Sequence, residues 1–331
     1  MALRSYVIWR FGAVAALILG GTALSGAQPS PRRVLKHESE RHELFPYPGG
    51  VFLPVWEGGA LLYVEDNMSD VPVIFGIDRN GRMERIDFSF PGGRYIGLLG
   101  LAGTRDGTIA AIGSAYDDEG RPVTFLARIT PDRSRKIVTQ LWPYAALAVT
   151  VLPNGEIWTV GYVKRRDNLG ISEYNVLKRF DSSGKLLATT AVKARGLLAR
   201  APWPDAAQHS LMKSSKDRVG WLTNANEYIE FSFDGRELGR FEPPPGPTPE
   251  AFESTIALSD DDEVLVGTRD GDCLRVWSLD RQERAWKPVD LSRRKLTRSA
   301  ILGFDGDKVV VIDDRHISGA TVARYSFLKV K

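Results

Sequence analysis

Histidines and carboxylates are the side chains in this sequence that are best suited to proton transfer. His209 and His316 lie in segments predicted to be loops, and Asp314 precedes His316 by two residues. A histidine near a carboxylate can act as a general acid or base. The residue types therefore allow a hydrolase or lyase, with calcium as a conceivable aid at the same site.

Acid-rich segments could supply ligands for a metal ion. The stretches "YDDEG" (from Tyr116) and "EDN" (from Glu65) carry the oxygen ligands that calcium prefers. Neither has the full spacing of a helix-loop-helix calcium site. Zinc is not expected, because the histidines are scattered and Cys273 is the single cysteine. We predict no cofactor and keep calcium as the alternative.

Several sequence signatures of enzymes are missing. The chain has no G-x-S-x-G nucleophile elbow, no phosphate-binding loop and no dinucleotide-binding glycine pattern. A catalytic triad can still form in space from distant residues. Whether the protein is an enzyme therefore stays open, with a non-catalytic role favoured.

The N-terminus has the pattern of a secretory signal. Arg4 and Arg10 precede the apolar stretch Phe11–Leu24, and the small residues up to Ala27 suit a signal peptidase. We predict a signal peptide over 1–27 and export to the periplasm or the exterior. A retained anchor is the alternative. After cleavage, the chain is not expected to be an integral membrane protein.

The length and composition are those of a globular protein with one large domain or two smaller ones. The repeats described below favour a single domain over residues 28–331. Hydrophobic residues make up 43% of the 331 residues and charged residues 26%. Lysine and arginine exceed the acidic residues by only three, at 44 against 41. This small excess gives no reason to expect a nucleic-acid partner.

The elements that must position these residues recur along the chain. An apolar anchor precedes a turn rich in Asp, Asn or Gly, and such turns join two strands into a hairpin. Successive anchors are separated by 46 to 52 residues. The anchors are Ile77, Ile129, Phe180, Phe231, Trp277 and Tyr325.

A second recurring signal lies upstream of each anchor: a turn followed by a β-branched or aromatic run, as in "NGEIWTVG" from Asn154. Each repeat then contains four short strands, and no helical periodicity is sustained after the signal segment. We predict an all-β fold, a six-bladed β-propeller with four antiparallel strands per blade. The predicted blades are roughly 45–90, 91–141, 142–192, 193–241, 242–291 and 292–331.

The last repeat is one outer strand short. The segment Arg32–Leu44, within the stretch 28–44, precedes the first repeat and has no partner there. We predict that this N-terminal segment supplies the missing strand and closes the ring. A disordered, charged tail is the alternative.

The pairing of "NGEIWTVG" with the later "KRFDSSGKLLATTAV" resembles six-bladed propellers of the NHL and TolB-like type, found in exported bacterial proteins. The resemblance covers nearly the whole mature chain. It implies the propeller fold, and the group includes ligand-binding scaffolds, lactone hydrolases and lyases. The first strands here are nearly all apolar, with Glu57 and His209 as the main exceptions. They therefore lack the metal-binding pattern that a lactonase needs.

The longer loops of a propeller lie on one face, which is the expected binding face. Aromatic and charged residues are predicted to gather there. The candidate ligand-binding residues are Tyr47, Arg94, Tyr95, Trp142, Tyr144, Arg165, Trp203, His209, Phe252, Arg298, Asp314 and His316.

Three functions remain open at this point. The first is a non-catalytic, exported binding or scaffold propeller that recognises a peptide, a glycan or a partner protein. The second is the hydrolase or lyase built on His209 and His316. The third is a rigid platform in an envelope assembly, docked through the basic run "RRKL" and Arg298.

Overall fold

The computed structural model describes residues 34–46, 54–64, 68–165, 170–194, 211–245, 254–270, 273–291, 299–317 and 320–330. These ranges contain 25 β-strands and no helix. Among them, therefore, no helix is long and apolar enough to cross a membrane. All of them belong to the unit Arg32–Lys331. The predicted signal peptide lies outside the described residues.

The strands form six blades of four antiparallel strands around a common axis, which is the predicted β-propeller. Blade 1 contains β2 (Val55–Glu57), β3 (Ala60–Val64), β5 (Val73–Asp78) and β6 (Met83–Asp87). Blade 2 contains β7 (Arg94–Gly103), β8 (Ile109–Tyr116), β9 (Pro122–Ile129) and β10 (Lys136–Gln140). Blade 3 contains β11 (Tyr144–Val151), β12 (Ile157–Lys164), β13 (Ile171–Phe180) and β14 (Leu186–Ala191).

The second half of the ring repeats this plan. Blade 4 contains β15 (Met212–Ser214), β16 (Arg218–Leu222), β17 (Tyr228–Ser232) and β18 (Glu237–Phe241). Blade 5 contains β19 (Thr255–Leu258), β20 (Val264–Asp270), β21 (Cys273–Asp280) and β22 (Ala285–Leu291). Blade 6 contains β23 (Ser299–Asp305), β24 (Lys308–Ile317) and β25 (Ala320–Val330), and it takes its fourth strand from the N-terminus.

That fourth strand is β1 (Val34–Pro46), which confirms the predicted closure of the ring. It runs antiparallel to β25 and also pairs in parallel, through Val34 and Leu35, with the end of β22. The strand begins and ends two residues later than the predicted segment Arg32–Leu44. Blades 5 and 6 thereby share one eight-stranded sheet.

The repeated anchors all lie on the third strand of their blades, and the first five precede the turn to the outer strand. Tyr325 has no such turn, because β1 supplies the outer strand of blade 6. Five of the six are fully buried between blades, and Trp277 is partly buried against the same kind of core. A large apolar side chain at this position fills the gap between neighbouring sheets. This need explains why one hairpin recurs along the sequence.

The aspartates after the anchors hold the hairpin turns together. Asp181 Oδ1 accepts hydrogen bonds from the backbone N–H groups of Ser183 (2.8 Å) and Lys185 (3.0 Å). Hydroxyls of Thr130 and Ser134 donate to Asp132 and lower the pKa of its carboxyl to about 2. The pKa values of Asp181 and Asp234 are lowered in the same way, first by a serine hydroxyl and then by backbone N–H groups.

These turns predict a defined acid sensitivity. A carboxyl whose pKa falls from 3.8 to about 2 on folding stabilises the protein above pH 4 and loses that contribution as the pH falls towards 2. We expect the triple variant Asp132→Asn, Asp181→Asn, Asp234→Asn to have a lower urea midpoint than the parent protein at pH 6. The difference should shrink as the pH falls from 4 towards 2, because the parent aspartates become protonated over this range. A constant difference across this range would contradict the prediction.

Candidate functional site

The propeller presents two unequal faces. The turns between strands one and two and between strands three and four of each blade lie on one side, which we call the short-turn face. The loops between strands two and three and the links between blades lie on the other side, the loop face. Binding groups are usually carried by longer loops on a rigid scaffold.

A buried ion pair crosses the axis close to the short-turn face. Lys213 Nζ lies 2.8 Å from Glu57 Oε1, and these side chains are only 6% and 11% exposed. Glu57 ends the inner strand of blade 1 and Lys213 lies on the inner strand of blade 4, on opposite sides of the ring. The pair therefore spans the central channel and closes it at this end.

Other polar groups that line the channel near this end also have partners. Glu57 Oε2 accepts from the Gly103 N–H at 2.7 Å, and the Ser214 hydroxyl donates to the Val151 carbonyl at 2.7 Å. Arg105 and Asp260 form a second cross-axis ion pair, exposed at the surface. Because these groups are already satisfied, we place the candidate binding site at the other end of the channel.

At the loop face, a short strand narrows the mouth of the channel. The loop of blade 1 forms β4 (Met68–Ser69), which pairs with Ile96 and Gly97 on the inner edge of blade 2. Sequence reasoning placed this segment in a loop and missed the strand. The only available signal was the pair of apolar residues Met68 and Val71 within the polar stretch "EDNMSDV".

Beside β4, exposed apolar and aromatic residues lie on neighbouring strand ends of the loop face, and we call this group the rim patch. Met68 is 62% exposed, Tyr95 is 63% exposed, and Val71 and Tyr116 are each almost half exposed. Strand pairing joins them, since β4 lies next to Tyr95 and Tyr116 is the register partner of Arg94. The rim patch consists of Met68, Val71, Arg94, Tyr95, Tyr116 and Asp118.

Tyr95 is held in an unusual backbone conformation. Its φ of +47° is a left-handed value that a bulky side chain rarely adopts. The Asp70 carboxylate accepts a hydrogen bond from the Tyr95 N–H at 3.0 Å and holds the two segments together. Strain of this kind costs about 1–3 kcal/mol and concentrates at functional sites. Here it presents an aromatic ring to solvent instead of burying it.

The ion pair of the rim patch is exposed, so a charged ligand can replace either partner. Arg94 Nε lies 3.1 Å from Asp118 Oδ1, and both side chains are about two thirds exposed. An exposed ion pair of this kind contributes at most about 1 kcal/mol. Either group can therefore bind a charged ligand at little cost.

Trp142 lies in the link between blades 2 and 3, on the loop face, next to a lysine. The Lys164 ammonium is 5.3 Å from the centre of the Trp142 ring, and partial burial lowers the pKa of this amine. Arg165 follows at the end of the same strand and is exposed. These three residues form a second, smaller group on the predicted face.

Tyr144 does not belong to the exposed surface. It is 1% exposed and packs between blades 2 and 3, and its hydroxyl is 3.0 Å from Thr159 Oγ1 and 3.1 Å from the Val176 carbonyl. Burial raises the pKa of its phenol well above the ordinary value. Its place at the start of an inner strand explains the expectation of a ligand contact. The inward orientation places it in the core instead.

The predicted loop with Asp314 and His316 belongs largely to strands. β24 continues to Ile317, Asp314 pairs in register with Ala323, and His316 pairs with Thr321. The expectation of a loop is wrong here, because regular pairing extends nearly to the end of the hairpin. The side chains of both residues lie outside the described part, so their predicted roles remain predictions.

Several other predicted positions also lie outside the described residues. They are Tyr47, Trp203, His209, Phe252, Arg298 and the run "RRKL". Within the described ranges, no group of three or more His, Cys, Asp or Glu side chains could hold a metal ion. The calcium alternative and the hydrolase hypothesis therefore remain untested.

Known structures share the overall architecture. A Bacteroides fragilis protein that is proposed to be exported aligns with a TM-score of 0.54 at 12% identity, over 90% of this chain and 95% of its own. A Dyadobacter fermentans protein of unknown function aligns at 0.48 and 14%, over 91% and 98%. TolB from Acinetobacter baumannii aligns at 0.44 and 13%, over 76% of this chain and 57% of its own.

At these identities, the first likeness supports the fold alone, and the other two carry no further argument. No protein-family model matches the chain. No curated protein matches it at a significant level. Function must therefore be argued from the residues of the loop face.

Proposed function

We propose that this protein is an exported, non-catalytic binding propeller that recognises a segment of a partner polypeptide through the rim patch. The observation that carries the proposal is Tyr95, a solvent-exposed aromatic side chain on a left-handed backbone that Asp70 holds in place. A strained, exposed ring has no evident role in packing. It does suit a contact with a ligand.

The chemistry of the patch favours a polypeptide over a glycan. Met68 and Val71 offer exposed aliphatic surface beside the rings of Tyr95 and Tyr116. Clustered apolar side chains of this kind are typical of protein interfaces, where tyrosine and methionine are enriched. Arg94 and Asp118 at the edge add charged groups that can orient a peptide.

Export rests on the N-terminal sequence. The basic start, the apolar stretch Phe11–Leu24 and the small residues up to Ala27 support a cleaved signal peptide. The partner would then be a periplasmic or extracellular polypeptide.

The rim patch can be tested with a library of displayed linear peptides, selected on the purified protein. We expect the enriched peptides to bind Tyr95→Gly and Tyr116→Ala at least about tenfold more weakly, since a buried tyrosine contact contributes more than 1 kcal/mol. Tyr95→Gly should also leave stability unchanged or raise it by about 1 kcal/mol, because glycine adopts a positive φ without strain.

Met83→Ala is the matched control. Met83 is another exposed apolar residue, 49% exposed, on the outer strand of blade 1. Its replacement should leave the affinity of the selected peptides unchanged. Peptides that bind all of these variants equally, or a library that yields no specific binder, would refute the proposal.

A further inference from the structure

The outer edge of blade 3 differs from those of the other blades. β14 is the terminal strand of its sheet, in the order β11-β12-β13-β14, and no strand of the described part of the chain covers its outer side. The stretch 186–192 reads "LLATTAV" and contains neither a charge nor a proline. Leu186 and Leu187 are 46% and 49% exposed.

The other outer strands have the features that normally protect a sheet edge. Such edges carry charged side chains or proline, which prevent pairing with another chain. β6 reads "MERID", β10 "KIVTQ" and β18 "ELGRF", and β22 contains both charges and Pro288. The outer strand of blade 6 is β1, which reads "VLKHESERHELFP" and contains several charged residues and a proline. Within the described strands, β14 is therefore the edge best suited to accept an added strand.

The protein already completes a blade with a strand from a distant part of the sequence. β1 arrives from a distant part of the sequence and pairs along β25, and its first residues also pair with β22. The outer edge of β22 thus already accepts a further strand over two residues. Main-chain hydrogen bonds would provide affinity of the same kind at β14.

Charge limits what that strand can be. Lys185 and Lys193 flank the neutral stretch, and both are exposed. They lie about 26 Å apart along an extended edge. A second copy of β14 in antiparallel pairing would bring lysines close to lysines, which disfavours self-association. A segment with an acidic residue at each end would place one carboxylate near each of these two lysines.

We propose that β14 is a docking edge for an extended, uncharged polypeptide segment of about seven residues that has an acidic residue on each side. This edge lies on the outer circumference of the propeller, whereas the rim patch lies on the loop face. The inference therefore does not depend on the proposed function.

The probe is the nine-residue peptide acetyl-Glu-Thr-Val-Thr-Val-Thr-Val-Thr-Glu-amide, compared with the same peptide carrying lysine at both ends. We expect the protein to bind the glutamate peptide about tenfold or more tightly than the lysine peptide at low salt, with the preference shrinking as salt is added. The variant Lys185→Glu, Lys193→Glu should reverse the preference. Hydrogen exchange should show peptide-dependent protection confined to residues 186–192.

The control variant Arg82→Glu, Lys216→Glu reverses two charges at exposed positions elsewhere and should bind like the parent protein. Thermal unfolding confirms that each variant is folded. Binding of both peptides with equal affinity, or binding without protection of β14, would overturn the proposal. So would a concentration-dependent dimer that protects β14 without peptide, because the occupant would then be a second copy.

Discussion

Replacing Lys213 by methionine should lower the free energy of unfolding by about 3 kcal/mol or more, because it leaves the Glu57 carboxylate buried without its counter-ion. Within the described part of the chain, the Gly103 N–H would then be the one remaining hydrogen-bond partner of that carboxylate. Urea denaturation at pH 7 measures the loss. It should be among the largest for any single polar substitution, because the two residues join opposite blades across the axis.

Two further variants test whether the loss of stability comes from leaving a buried charge unpaired or simply from removing a charge. The double variant Glu57→Gln, Lys213→Met removes both charges and should recover more than half of the loss, since an amide oxygen can still accept from Gly103. Arg105→Met breaks the exposed cross-axis pair with Asp260 and should cost less than about 1 kcal/mol. Equal costs for Lys213→Met and Arg105→Met would show that the buried pair has no special role.

Deleting residues 34–46 should lower the stability by a comparably large amount, because it removes strand pairing and not an ion pair. β25 would lose its antiparallel partner along most of its length, and blades 5 and 6 would no longer share a sheet. We expect the thermal midpoint to fall by roughly 10 °C or more, which for a domain of this size corresponds to several kcal/mol. Differential scanning calorimetry of the deleted and intact proteins checks this.

Adding residues 34–46 as a separate peptide tests whether the loss of stability is due to the missing strand. A synthetic peptide of residues 34–46 should raise the midpoint of the deleted protein in proportion to the logarithm of its concentration, because it binds only the folded state. A scrambled peptide of the same composition is the control. A midpoint within about 2 °C of the intact protein after deletion would show that the closing strand contributes only about 1 kcal/mol, which contradicts the prediction.

The propeller could be predicted because its signals are local and repeated. Each hairpin turn has an apolar anchor such as Phe180, an aspartate such as Asp181 that accepts backbone N–H groups, and a residue with positive φ, which is either a glycine such as Gly184 or an arginine. Those requirements fix residue types at similar spacing in five successive repeats, and the sixth repeat keeps the anchor alone. The same repeat pattern showed that the sixth blade lacks an outer strand, which led to the prediction that the N-terminal segment supplies it.

The candidate site was less predictable, because it depends on contacts between distant segments. β4 pairs the loop of blade 1 with the inner edge of blade 2, and its own sequence offers only the weak signal of Met68 and Val71. Tyr95 was predicted, but not its left-handed backbone or its link to Asp70. Tyr144, at a similar place one blade later, lies in the core.

The sequence by itself determined the number of blades, the strands within each blade and the use of the N-terminal segment to close the ring, since periodic burial and turn chemistry act over short distances. Only the tertiary structure decided which end of the channel is closed. Glu57 and Lys213 are 156 residues apart in the chain, and only the circular arrangement of blades brings them together. It also decided which tyrosine lies in the core and which faces solvent, because that choice depends on how neighbouring blades pack.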